Sequence, residues 1–470
     1  MSGASPAASP RREDRLSGAK PTPDQRGAFQ LDRDRILYSM EFRRLAGVTQ
    51  VVSPVEGEIF HSRLTHTLKV AQVARRIAEM LLAREATSQL ARAWGEIDAD
   101  VVEAASLAHD LGHPPFGHIA EHELNLLVAE TVIREKHGLA LGVALPDASV
   151  PEVARTEGYE GNAQSFRLIT ALSVRRPGST HGLDLTRATL NAALKYPWQF
   201  SVERPKYGVY AVDAEAFNFA RALSTPAGEG PSIEAQIMDW ADDIAYSVHD
   251  VEDFYRAGRI PLDRLRSNPR ERLYFRERAM KRRKRIEKPF PLPYEDVPSV
   301  LDRFLDVYVD IERPYDGTRD CRERLYACTS TLIHTFIHAT DLKAPDGGSR
   351  AITRSEMIGT QVELLKEMIW CYVIYNPSLG GHQHGQRQVI RTIFDVLNHA
   401  CISGRDYLLP PFYKNKWEEL LEASNGIVAV RDRARLVADA VSSMTDEQAL
   451  RFFQRLTASA QGSVLDPIVN

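Results

Sequence analysis

The chain has 470 residues, 43% of them apolar, and a formal net charge of −4. That apolar content supports a sizeable core, the slight negative charge argues against a general nucleic-acid coat, and no run of about 18 apolar residues exists to span a membrane. Cys321, Cys328, Cys371 and Cys401 are too scattered for a zinc cluster and read as reduced thiols; with no apolar leader visible, a cytoplasmic protein is expected.

In chain order, residues 1–28 are poor in large apolar groups and are expected to be disordered or loosely packed, with Arg11, Arg12, Glu13, Asp14 and Arg15 as solvated charges. From Asp32 to Leu45 the apolar spacing is helical, and Gly47 to Val52 reads as a short extended piece. Gln50 lies there; its amide both donates and accepts, which suits a loop or a base edge. A long helix is expected from Arg63 to Arg84, with Leu64, Leu68, Ala71 and Leu81 in its apolar stripe and His66 beside them. Arg63 shares a face with His66.

The stretch from Ala105 to His122 organises the rest. It begins as a helix, stops near Gly112 because Pro114-Pro115 cannot continue one, and restarts as a helix near His118. His109 and Asp110 are adjacent at the helix end, with His113 on the stiff loop. Imidazole and carboxylate are a ligand set for a hard-to-borderline divalent ion, but two ligands hold a catalytic metal poorly, so others must come from elsewhere. Glu121, one turn after His118, is placed to orient or charge that imidazole.

Beyond it, a helix opens at about Gly158 to Arg167, and another is expected from Leu185 to Trp198, ended by Pro197. The helix from Ile233 to Phe254 carries Ile237, Ala241, Ile244, Val248 and Val251 on one stripe. Asp242, Tyr246 and Asp250 fall on the opposite side, a solvated arc unless its carboxylates meet a cation. Arg276 to Arg285 is a basic run, either a solvated helix or a site for triphosphate or nucleic acid. The remainder is again helical and strand patterns are nearly absent, so the expected class is mostly α.

The order His66, His109-Asp110, later aspartate resembles the HD-domain metal phosphohydrolases. Phe42-Arg43-Arg44-Leu45, Thr49-Gln50-Val51, His109 through His118, Tyr159-Glu160-Gly161-Asn162-Ala163-Gln164-Ser165, Lys195-Tyr196-Pro197-Trp198 and Ala241 through Tyr246 narrow the resemblance to the dGTPase-like deoxynucleoside triphosphate (dNTP) triphosphohydrolases. It implies an HD-domain helical core over residues 29–260, with additional C-terminal helices over 261–470 packing on it. It implies His66, His109, Asp110 and Asp242 as metal ligands. Asp242 is chosen over Asp243 because the family places a tyrosine and an aspartate four and eight residues after the ligand, as Tyr246 and Asp250 stand here. His118 and Glu121 match a catalytic pair and His113 a further active-site histidine. Gln50, Val51, Arg63, Tyr246 and Asp250 match substrate contacts. The implied reaction turns a dNTP, with dGTP a candidate preference, and water into deoxynucleoside and inorganic triphosphate. The implied cofactor is Mn²⁺ or Mg²⁺, with Fe, Co or Ni as alternatives. A homo-oligomer and a dNTP activator at a second site are further implications; the basic run leaves nucleic acid open as a partner. The competing readings are an HD phosphohydrolase of another nucleotide and a nucleotide- or nucleic-acid-binding protein. Val48 stands where the family often has lysine, and most of its opening motif is missing.

Overall fold

The computed structural model describes residues 9–18, 24–50, 61–139, 145, 149–223, 228–375 and 377–459. Among them the protein is mostly helical; the only paired strands are Asp341–Leu342 and Ile352–Thr353, antiparallel and two residues each.

Three helices frame the centre. Arg63–Ala83 starts at Ser62, whose hydroxyl accepts from Thr65 N, and buries Val70, Val73, Ala74, Ile77 and Leu81. Ala99–Ala108 starts at Asp98, whose carboxylate accepts from the amides of Asp100 and Val101. Ile233–Arg256 starts at Ser232 and buries the whole stripe Ile237, Ala241, Ile244, Val248 and Val251. These helices pack mutually, so the polar ends and faces left over point to one place.

The C-terminal helices complete the same cores. One apolar cluster joins Val70, Ile77 and Ile244 to Phe304, Leu332, Val362 and Leu365. A second joins Phe116, Leu124 and Leu127 to Ile390, Phe394, Trp417 and Val437. The helices Glu356–Ile369 and Pro377–Ile402 therefore close over the framework.

Three expectations are corrected. Arg12 and Arg15 are docked rather than solvated: Arg15 pairs with fully buried Asp32 at 2.7 Å, and Arg12 with buried Glu234 at 2.6 Å. An unpaired buried carboxylate is costly, and these arginines neutralise two of them. The helix expected over residues 185–198 runs only over Arg187–Ala192. The chain turns early because Lys195 reaches Asp239 at 2.7 Å and Asp242 at 3.2 Å, tertiary ion pairs that outweigh local propensity. Asp250, placed on the solvated arc, is 4% exposed, since the 63–83 side of the framework covers that turn.

Candidate active site

The helix Ala99–Ala108 delivers His109 at its C-cap and Asp110 just beyond. The loop that follows is held tightly. A Cβ on Gly112 would meet Gly161 O and Ser165 N at 2.3 Å, so only glycine allows this approach. Phe116 adopts φ +65°, a conformation costly for a bulky residue; its amide donates to Asp446 Oδ1 at 2.8 Å, which anchors it. Gly117 then starts the helix His118–Lys136.

His66, from the 63–83 helix, and Asp242, from the 233–256 helix, meet this end. His66 Nε2 lies 3.2 Å from Asp242 Oδ1, and His109 Nε2 lies 3.8 Å from the same oxygen. Asp110 Oδ1 is 3.3 Å from His109 Nε2. Asp243, one residue on, points instead to Lys366, at 2.6 Å. Asp110 Oδ2 accepts from Arg63 Nη1 at 2.7 Å.

The protonation pattern suits a cation. His109 Nδ1 donates to the Ser106 carbonyl at 2.6 Å, which fixes the tautomer and leaves Nε2 as a lone pair. That Nε2 is buried and has no hydrogen-bond partner among the described residues. An orphaned imidazole nitrogen, with a second imidazole and two carboxylates around it, is a donor set that a divalent metal fits. Burial alone would raise both carboxyls. Lys195 and the two imidazoles hold Asp242 below the usual carboxylate range, and His109 and Arg63 do the same for Asp110.

Across the cavity, His118 Nδ1 donates to Glu121 Oε2 at 2.7 Å. Glu121 is buried, which would raise its carboxyl, but the His118 hydrogen bond and charge hold it well below its ordinary value. Its other oxygen accepts from Gly161 N at 3.0 Å and lies 3.5 Å from Lys206 Nζ. His113 sits between the two groups, 3.1 Å from Asp110 Oδ1. Burial and then Arg63 push it down to about 4, so it is neutral at pH 7.

A cavity of about 440 Å³ joins these parts. Gln50, Arg63, His66, His109, Asp110, His113, His118, Glu121, Asp242 and Tyr246 all line it, as ten of the residues singled out from sequence. Gln50 Oε1 and Arg63 Nη2 are buried without hydrogen-bond partners among the described residues. Asp250 is not part of the wall; it is buried beneath, its Oδ2 unpartnered among the described residues. Val51 lies outside the described residues. Sequence reasoning missed the basic side of the wall: Lys195, Lys206 and Lys366, with Tyr196, Trp370 and Gln383. Lys195-Tyr196 lies in a sequence motif that carries no role by itself; Lys206, Lys366 and Gln383 carry no local signal.

A helical framework that gathers this histidine–aspartate set is that of the HD domain, and the HD-domain family model matches residues 63–149, with a phosphohydrolase-associated domain model matching residues 352–455. The relatives are consistent along nearly the whole chain. A deoxyguanosinetriphosphate triphosphohydrolase-like protein of Streptomyces coelicolor is 37% identical, over 93% of this chain and 95% of its own length. Like-named proteins of Corynebacterium efficiens and Bifidobacterium longum are 35% and 30% identical, covering 92% and 84% of their lengths. The chain belongs to this deoxyguanosinetriphosphate triphosphohydrolase-like family. Among the described residues no helix is long and apolar enough to cross a membrane.

Proposed function

We propose that the protein is a metal-dependent dNTP triphosphohydrolase, releasing deoxynucleoside and inorganic triphosphate. The observation that carries the reading is the buried, unpartnered His109 Nε2 facing His66 and Asp242, with the His118–Glu121 pair on the other side of one cavity. His66, His109, Asp110 and Asp242 would hold the divalent ion. When bound, that ion supplies charge neutralisation at the phosphoryl oxygens and a lowered pKa for water.

The chain's own groups do the rest. Lys195, Lys206, Lys366 and Arg63 line the cavity and offer charge-assisted hydrogen bonds to a triphosphate. Water attacks the α-phosphorus as the bond from that phosphorus to the 5′-oxygen breaks. His118, oriented by Glu121, gives its proton to the leaving oxygen and regains one from solvent. Arg63 fixes Asp110, and neutral His113 packs beside His118, with ring centroids 5.1 Å apart. Tyr246 and Gln50 bound the sugar and base end; Asp250 and Val51 are assigned there from the family pattern alone. The bulk of Tyr246 favours deoxyribose over ribose. The relatives' name makes dGTP the first substrate to test.

The test is product analysis. Purified protein is incubated with each dNTP and Mn²⁺ or Mg²⁺, singly and in mixtures. Equimolar deoxynucleoside and inorganic triphosphate are expected. Deoxynucleoside monophosphate with pyrophosphate, or diphosphate with orthophosphate, would contradict the reading.

A further inference from the structure

Asp446 opens the C-terminal helix Asp446–Leu456, and it is 6% exposed. Its carboxylate does not cap that helix. Thr445 is the cap: its hydroxyl accepts from Gln448 N at 3.2 Å, and its amide donates to Gln448 Oε1 at 2.8 Å. The Asp446 carboxylate instead holds two distant segments. Oδ1 accepts from Phe116 N at 2.8 Å; Oδ2 accepts from Thr49 N at 3.1 Å and from the Thr49 hydroxyl. Burying a carboxylate is costly, and an asparagine of the same shape would offer one acceptor oxygen in place of two. The second oxygen is what lets one side chain join both segments.

Both segments lead directly into the catalytic cavity. Thr49 precedes Gln50, and Phe116 stands two residues before His118; Gln50 and His118 line that cavity. The segments also touch each other. A Cβ on Gly117 would lie 3.2 Å from Thr49 O, and Arg63 Nε donates to that same carbonyl at 3.3 Å. Arg44 braces the loop with the opposite charge. Its Nη2 donates to Leu111 O at 2.7 Å and His113 O at 2.8 Å, and its Nη1 to Met444 O at 3.0 Å. Residues 444–446 are thereby tied to the 44–49 segment and to the 111–116 loop at once.

We infer that Asp446 is a positioning residue whose two carboxylate oxygens hold Gln50, at the base and sugar end, and His118, at the leaving oxygen, at a fixed separation; the roles of Gln50 and His118 here are those of the proposed reaction. A deoxynucleotide presents its base and its 5′-oxygen at a distance limited by its covalent frame. Groups that read the two ends must keep a matching distance, and a small misplacement of either lowers the rate steeply. Asp446 touches neither substrate end; it acts through Thr49 and Phe116.

The test is a double-mutant cycle on the full chain supplied with Mn²⁺, after circular dichroism and metal content show each variant folded and loaded. In the wild-type background Asp446→Asn is expected to lower kcat about tenfold or more. In the His118→Ala background, where no acid remains to misplace, the same substitution is expected to cost less than about threefold. A second cycle reads binding. The weakening of a slowly hydrolysed dNTP analogue by Asp446→Asn, followed by calorimetry, is expected to shrink in the same way once Gln50→Ala is present. Thr49→Val removes only the hydroxyl donor and is expected to show the same pattern at smaller size; it carries both comparisons if Asp446→Asn does not fold. Equal losses in both backgrounds would make Asp446 a structural residue alone and overturn the inference, as would an unaltered kcat in Asp446→Asn. A wild type that yields no inorganic triphosphate overturns the hydrolase reading instead, and the analogue-binding cycle then decides the tie without turnover.

Discussion

At the scale of single residues, the roles assigned to neighbours differ enough to separate them. Asp242 faces two imidazoles, whereas Asp243 pairs with Lys366. Asp242→Ala is therefore expected to release the metal, measured by elemental analysis or Mn²⁺ binding, while Asp243→Ala retains it; equal retention would refute the assignment. His118 lies outside the proposed metal ligands His66, His109, Asp110 and Asp242, and its side chain is 71% exposed. His118→Ala is expected to keep metal content and to lower kcat by about 10²–10⁴-fold, the usual worth of general acid help. Glu121 gives a pH signature. Its folded carboxyl lies well below its ordinary value of 4.5. The unfolded chain thus binds the proton first on acidification. The stability contributed by Glu121 is fully present above about pH 4.5 and is lost as pH falls towards its folded value. Glu121→Gln should flatten that part of the stability–pH curve in chemical denaturation; an unchanged slope would show that other carboxyls carry it. The adjacent His-Asp pair and the His118–Glu121 spacing were legible in the sequence because each rests on local spacing, whereas His66 taken alone reads as a core histidine and stands out only through the family order. Choosing Asp242 over Asp243 needed the family pattern, since both lie on the same turn of helix.

At the scale of elements, the loop between the helices Ala99–Ala108 and His118–Lys136 sets the site's precision. Gly112→Ala would drive a Cβ into the backbone of Gly161 and Ser165. A stability loss of about 1–3 kcal/mol is expected from such overpacking, together with weaker metal binding, because His109 and Asp110 immediately precede the loop. Ile77→Ala, deep in the 63–83 stripe, is the contrasting case. It should cost about 2–5 kcal/mol in denaturant unfolding without changing metal stoichiometry. The starts of two long helices, at Arg63 and Ile233, were readable from their apolar stripes, and the structure adds the caps Ser62 and Ser232; the start at Ala99, capped by Asp98, was not read. The helix ending at Ala192 was misread because Pro197 looked like the stop signal. The actual stop is set by Lys195 reaching carboxylates on a distant helix. Residues 9–18 were misread for a related reason: Arg12 and Arg15 are surface-like in sequence, and only the fold supplies Glu234 and Asp32.

At the scale of the whole molecule, the cavity is assembled from segments some 300 residues apart, from Gln50 to Gln383, and that convergence was only half visible beforehand. Motifs pointed to the side proposed to hold the metal and the acid. The cationic wall of Lys195, Lys206 and Lys366, and the cover provided by the 356–369 helix, depend on packing that no local pattern reports. The joined apolar clusters make the C-terminal helices part of the site's architecture, so truncation after the Ile233–Arg256 helix is expected to abolish cooperative unfolding rather than merely slow turnover. The central claim is attack of water on the α-phosphorus within this cavity. It is tested most directly by running the reaction in ¹⁸O-water and weighing both products. One solvent oxygen is expected in inorganic triphosphate and none in the deoxynucleoside; label in the 5′-hydroxyl, or in a nucleoside monophosphate, would refute attack at the α-phosphorus.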